Sequence, residues 1–162
     1  MGTENTRWLN DREQDLWRTI REFLWQFPSA MDRQLTQDSA MQSGEYSVLA
    51  VLSEAEESSL RPAEMAEELR WDRSRLSHLL RRMEAKSLIT RCSDASDRRG
   101  HQIGLSELGW QAIREAAPKH VEFIRQTLFD SLTPAEHAAL ETALPKILAA
   151  IAPHAPTTPQ CD

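Results

Sequence analysis

The chain has 162 residues, 40% apolar and 27% charged, with a net charge of −6 and only 13 glycines and prolines together. This is the composition of one ordinary globular domain and excludes fibrous, collagen-like and disordered readings. No run of about 18 apolar residues is available for a membrane span. The polar stretch Met1 to Asp15 lacks the apolar core of a secretory signal, and Cys92 and Cys161 do not make a disulfide framework, so a reducing cytoplasm and no membrane partner are expected.

Asn10 to about Leu35 predicts a long helix. Asn10 can cap it with Glu13 three residues on, and Leu16, Trp17, Ile20, Phe23, Leu24, Phe27, Met31 and Leu35 recur at helical spacing. Pro28 should kink or split it near Gln26–Phe27. Gln42, Ser43 and Gly44 read as a turn, and Glu45 to Glu54 as a second helix with a broad apolar face. Pro62 opens a short helix to Leu69, since a missing N–H costs nothing at the first helical position. Asp72 then caps a helix to about Lys86, with Leu76, Leu79, Leu80 and Met83 inward and Arg73, Ser74, Arg75, Ser77, His78, Arg81 and Arg82 outward.

After Ser87 the apolar period changes from 3.6 to 2. Leu88 to Cys92 and His101 to Leu105 read as strands around a polar tip carrying Arg98 and Arg99. Ser106 starts a long helix to about Asp130. Thr133, Pro134 and Glu136 combine a capping box with a first-position proline and open a last helix to about Ile151. The Pro- and Thr-rich residues 153–162 read as a tail.

Charge is informative once it is divided along the chain. Residues 1–60 carry −6, residues 61–105 carry +3 and residues 106–162 carry −3, while residues 73–99 alone carry +5. An acidic body thus holds a basic centre, which attracts phosphate locally while the flanks keep the chain soluble.

Two short helices joined by about three residues, followed by a hairpin with a basic tip, describe a winged helix-turn-helix. The expected fold class is mainly α with a small β wing. The second helix fits the DNA major groove, and Arg, Ser and His suit base edges and phosphates. Arg98 and Arg99 at the wing tip suit the negative potential of a narrow minor groove. The candidate DNA-binding residues are therefore Arg73, Ser74, Arg75, Ser77, His78, Arg81, Arg82, Arg98 and Arg99. No Ser-His-Asp arrangement, glycine-rich phosphate loop or metal-ligand spacing occurs, so neither an enzyme nor a cofactor is expected.

Several stretches resemble the MarR (multiple-antibiotic-resistance regulator) family. Arg61 to Leu69 looks like its first DNA-domain helix, and Arg73 to Glu84 like its recognition helix. Asp97-Arg98-Arg99 with Leu105 to Gly109 resembles its wing and following helix, and Leu132 to Glu136 the start of its last helix. The order and spacing span residues 8–151, and the Trp8-Leu9 and Leu16-Trp17-Arg18 opening resembles a subgroup frequent in actinobacteria. The resemblance implies a homodimer whose helical dimerisation region is residues 1–40 and 106–152, with a DNA-binding lobe at residues 41–105. It also implies a transcriptional regulator, usually a repressor, on a near-palindromic operator of double-stranded DNA, released by a small aromatic or anionic effector. The family usually has glycine where this chain has Ser87, and a Ser or Thr cap where it has Arg61; both departures bear on helix boundaries.

Trp17, Arg21 and Trp25 fall on nearly one face of the first helix and, with Tyr46, could line an effector pocket: an aromatic wall with one cation suits an anionic aromatic ligand. Dimer-core packing competes for the same residues. Cys92 on a wing strand is a redox candidate if Arg91 lies near enough to favour its thiolate. The alternatives to an effector-released regulator are thus a redox-responsive regulator using Cys92 and a winged-helix protein-interaction module.

Overall fold

The computed structural model describes residues 6–93 and 101–154. In chain order these form α1 (Asp11–Ser39), α2 (Ser43–Glu54), β1 (Ser59–Leu60), α3 (Pro62–Glu68), α4 (Arg73–Ala85), β2 (Ile89–Ser93), β3 (His101–Leu105), α5 (Glu107–Ile124) and α6 (Pro134–Ile151). Alpha5 runs on as a π-helical turn, Arg125–Phe129, and α6 as a 3-10 turn, Ala152–His154.

The predicted caps are in place. Asn10 Oδ1 accepts the Glu13 N–H at 3.0 Å while Glu13 accepts the Asn10 N–H at 2.9 Å. Asp72 caps α4, Ser106 caps α5 by accepting the Gly109 N–H, and Thr133 and Glu136 form the capping box of α6. Each satisfies N–H groups that a helix start otherwise leaves without a partner.

Three boundaries differ from the sequence reading. Alpha1 continues through Pro28 to Ser39 and is not split; proline removes one backbone bond, and the turns on either side hold the helix. Ser43 and Gly44 are not a turn but the first turn of α2, because Glu45 accepts the Gln42 N–H at 3.2 Å and Asp32 of α1 accepts the Ser43 N–H at 3.2 Å. The wing sheet has a third strand: the antiparallel order is β1-β3-β2, with Ser59 opposite Gly104 and Ile89 opposite Leu105. Two residues are too short to show alternation, so β1 leaves no signature in the sequence.

The core lies in the lobe. Val48, Leu49 and Leu52 of α2, Met65 and Ala66 of α3, Leu76, Leu79, Leu80 and Met83 of α4, and Ile89 and Ile103 of the sheet pack on Ile113 and Ala116 of α5. Alpha1 contributes only Gln34 and Leu35 to the buried set, and α6 contributes no residue. Most of the apolar stripe along α1 is therefore exposed within one chain. No helix is long and apolar enough to cross a membrane among the described residues.

Candidate nucleic-acid interface

Alpha4 is amphipathic in the way its sequence dictates. Leu76, Leu79, Leu80 and Met83 fix one face in the core, and this turns Arg73, Ser74, Arg75, Ser77, His78, Arg81 and Arg82 to solvent. The N-terminus of α4 is closed by Asp72, whose carboxylate accepts the Ser74 N–H at 2.8 Å and the Arg75 N–H at 3.2 Å. Hydrogen bonding from the Arg75 and Ser74 backbone and the Ser74 side chain holds that carboxyl below its ordinary range.

Two of the outward cations are oriented by neighbours. The Arg75 guanidinium lies over the Trp71 ring, 4.9 Å from its centroid. Arg81 reaches back along the helix, with Nη2 3.1 Å from His78 Nδ1 and Nε donating to the Ser77 carbonyl at 3.4 Å. Arg75, His78, Arg81 and Arg82 together line one open, shallow hollow. Arg98 and Arg99 lie outside the described residues.

A second, deeper cleft of about 360 Å³ opens behind the same helix. Asp32 and Thr36 of α1, Gln42 to Gly44 at the start of α2, and Trp71, Arg75, Leu79 and Arg82 line it. It therefore holds two guanidinium groups, an indole ring, one carboxylate and the N-terminus of a helix. The sequence reading missed Asp32 as a cleft residue, because its neighbours come from three helices brought together only by folding. At Gly44 the start of α2 lies beside the cleft wall, where a Cβ would meet Leu79 at 3.4 Å and Trp71 at 3.6 Å, ordinary van der Waals distances.

The four expected effector residues are not gathered in one place. Trp17, Arg21 and Trp25 share an exposed face of α1, with Arg21 5.3 Å from the Trp25 centroid. Tyr46 instead faces α5, its ring 4.4 Å from that of His120. No ring contact joins it to either tryptophan among the described residues. Burial raises the Tyr46 hydroxyl above its ordinary range, with Glu54 adding to the shift.

Cys92 is exposed on β2, where its sulfur lies 4.0 Å from Thr90 Oγ1. Strand alternation sends the neighbouring Arg91 away from it, and that guanidinium pairs with Glu84 at 2.9 Å. Cys161 lies outside the described residues. No group of three or more His, Cys, Asp or Glu side chains among the described residues is placed to hold a metal ion.

Residues 41–100 match a family model described as MarR family. No curated protein matches the chain. Among solved structures, AbsC, a MarR family transcriptional regulator from Streptomyces coelicolor, is 36% identical with a TM-score of 0.85, over 90% of this chain and 98% of AbsC. This chain belongs to the MarR family. Sco3205, another MarR family transcriptional regulator from Streptomyces coelicolor, solved in complex with DNA, is 34% identical with a TM-score of 0.85, over 92% of this chain and 93% of Sco3205. The S. aureus MepR–DNA complex is 27% identical with a TM-score of 0.72, covering 85% of this chain and 96% of MepR. The MarR fold is thus present from α1 to α6, and membership places the chain among transcriptional regulators and not among enzymes.

Proposed function

We propose that this MarR-family chain is a homodimeric regulator, acting as a repressor, that reads a near-palindromic DNA site with α4. The exposed cationic face of α4 carries the reading: seven polar and cationic side chains stand outward on a helix whose other face is locked in the core. Arg75, His78, Arg81 and Arg82 supply donors for base edges and phosphates, with Arg73, Ser74 and Ser77 beside them. Arg98 and Arg99 extend the contact into the adjacent minor groove. That Sco3205 and MepR were solved with DNA supports the same use of this face.

The dimer is supported by what one chain leaves uncovered. Alpha6 buries no residue, while Leu140, Leu144, Ile147, Leu148 and Ile151 are exposed along it, as are Trp17 and Trp25 on α1. Apolar surface of that extent calls for a partner, and a second copy covers it with the same elements. Trp17, Arg21 and Trp25 then belong to the dimer body. The cleft lined by Asp32, Trp71, Arg75 and Arg82 is the better place for an effector. An aromatic acid fits its indole wall and its two cations. Occupying Arg75 and Arg82 would favour the state that does not bind DNA, as release requires.

Fluorescence anisotropy tests the reading, with a duplex from the region upstream of the gene against a scrambled duplex of equal length. A preference of about a thousandfold is expected at 150 mM salt. A dimer that neutralises about eight phosphates gives a log K against log salt slope near −7. Equal, weak binding to every upstream duplex would overturn specific DNA reading.

A further inference from the structure

We propose that Glu45 is a positioning residue for the reading helix, its buried carboxylate tying the start of α2 to the end of α4 through Lys86. The proposal rests on the DNA-reading role of α4 given above.

Glu45 and Gln34 are the buried polar side chains among the described residues, and Glu45 is the more enclosed at 2% exposure. A carboxylate taken out of water is costly unless both oxygens are satisfied. Here Oε2 accepts the Gln42 N–H at 3.2 Å and Oε1 accepts from Lys86 Nζ at 2.5 Å. The position is the third of α2, where the helix dipole also favours negative charge. Lys86 is the residue that ends α4, its own N–H bonded to the Arg82 carbonyl. One oxygen therefore fixes a helix start, and the other grips the residue that caps the end of the reading helix.

The surrounding contacts make this tie part of a chain of fixed joints. Asp32 of α1 accepts the Ser43 N–H, which holds the start of α2 against α1. At Gly44 that same turn lies beside Leu79 and Trp71. Glu45 then holds the far end of α4, so the first turn of α2 meets the reading helix at Leu79 and again at Lys86. Two contacts along one helix fix its angle, where one would leave it free to pivot. The Glu45 carboxylate is buried while Lys86 is half-exposed, and that carboxylate finds its second partner only in a geometry that brings the end of α4 to it. At this joint that geometry sets how α4 is presented to a groove.

Variants Glu45→Gln, Lys86→Met and Lys86→Arg separate positioning from charge and from bulk stability. Binding to the upstream and scrambled duplexes, thermal melting, and amide exchange in residues 43–46 and 83–86 are measured on each full chain. Glu45→Gln is expected to weaken the upstream duplex about tenfold, the scale of one charge-assisted hydrogen bond. The scrambled duplex should bind unchanged or slightly tighter, because the chain gains one unit of positive charge. Lys86→Met should show the same selective loss, Lys86→Arg should retain the preference, and exchange should quicken at both ends of the tie in Glu45→Gln and Lys86→Met.

An unchanged preference in folded Glu45→Gln and Lys86→Met overturns the proposal. So does a loss in Lys86→Met that is equal for both duplexes with a salt slope shallower by about one, which would make Lys86 a phosphate contact instead. If Glu45→Gln does not fold, Lys86 decides alone, since its side chain is 54% exposed and tolerates replacement. If the unaltered chain itself prefers no duplex, the DNA reading fails on its own account. The tie is then judged by amide exchange, and exchange unchanged in Lys86→Met overturns it.

Discussion

Ser87 adopts the left-handed conformation, with φ of 58°, although it carries a side chain. The resemblance to MarR proteins sets a glycine against this position, and the chain keeps the corresponding backbone regardless. The Leu88 N–H bonds to the Met83 carbonyl and the Ser87 N–H to the Glu84 carbonyl, which is the pattern of a Schellman helix end. A non-glycine residue in this region costs about 1–2 kcal/mol, against about 0.5–1 kcal/mol for the greater unfolded freedom of glycine. Ser87→Gly is therefore expected to raise the melting temperature by about 2–4 °C. The Ser106 hydroxyl bonds to the Ser87 carbonyl, which the variant retains. Circular dichroism melts check this, and a fall in melting temperature would count against strain at Ser87. His120 is a second residue whose setting predicts behaviour. Its Nδ1 lies 3.0 Å from Gln34 Oε1 and its ring faces Tyr46, and burial lowers its pKa below the ordinary 6.5. Below pH 6.5 the unfolded chain takes up this proton before the folded one does. The contribution of His120 is thus whole above pH 6.5 and is lost as pH falls from there through the lower folded value. Urea melts between pH 5 and 8 should show that His120→Gln removes part of the slope seen in the unaltered chain; parallel curves would contradict the burial.

Elements announced by strong local chemistry were legible in the sequence. Asp72, Ser106 and Thr133 start helices where they should, because a side-chain cap is a contact between neighbours in sequence. The outward face of α4 follows from helical period alone. What the sequence withheld depends on tertiary contact: β1 exists only by pairing with β3, and Ser43 becomes helical because Asp32 from another helix accepts its N–H. The cleft beside α4 was invisible for the same reason, whereas Arg21 over Trp25 was legible as neighbours four apart on one helix. Gly109 shows how far element packing overrides local preference. In an isolated α5, alanine would be better than glycine by about 1 kcal/mol. Here a Cβ would stand 2.0 Å from the Leu88 carbonyl oxygen, a backbone atom with no rotamer to yield. Gly109→Ala must push α5 off the β2 end of the sheet and should destabilise the chain by about 1–3 kcal/mol. A denaturant titration gives the sign directly: stabilisation would mean that α5 does not sit this close to Leu88.

At the scale of the whole molecule, the exposed large apolar side chains are distributed unevenly. Among the described residues they lie on α1 and the residues before it, from Trp8 to Trp25, and after Ser106, from Leu108 to Ile151, and none falls between residues 41 and 105. The lobe is thus complete as one chain, with its own core, and the body is not. This asymmetry separates the two halves of the proposed regulator energetically. Ile147 and Leu148 on α6 test it, because they are exposed in one chain, stand outside the core cluster of the lobe, and lie far along the sequence from α4. A glutamate at Ile147 would have to be buried without a partner if a second copy covers α6, at a cost of several kcal/mol. Light scattering should find the unaltered chain as a dimer and Ile147→Glu largely as a monomer. The cationic face of α4 stays intact in that monomer, so it should still bind DNA, but one half-site at a time. Losing the linked second contact should weaken the palindromic duplex by about a hundredfold or more while scarcely changing affinity for an isolated half-site. A dimer unaffected by Ile147→Glu would place the partner surface elsewhere. A monomer that still held the full palindrome at its original affinity would show that pairing of the two copies is not what joins the half-sites.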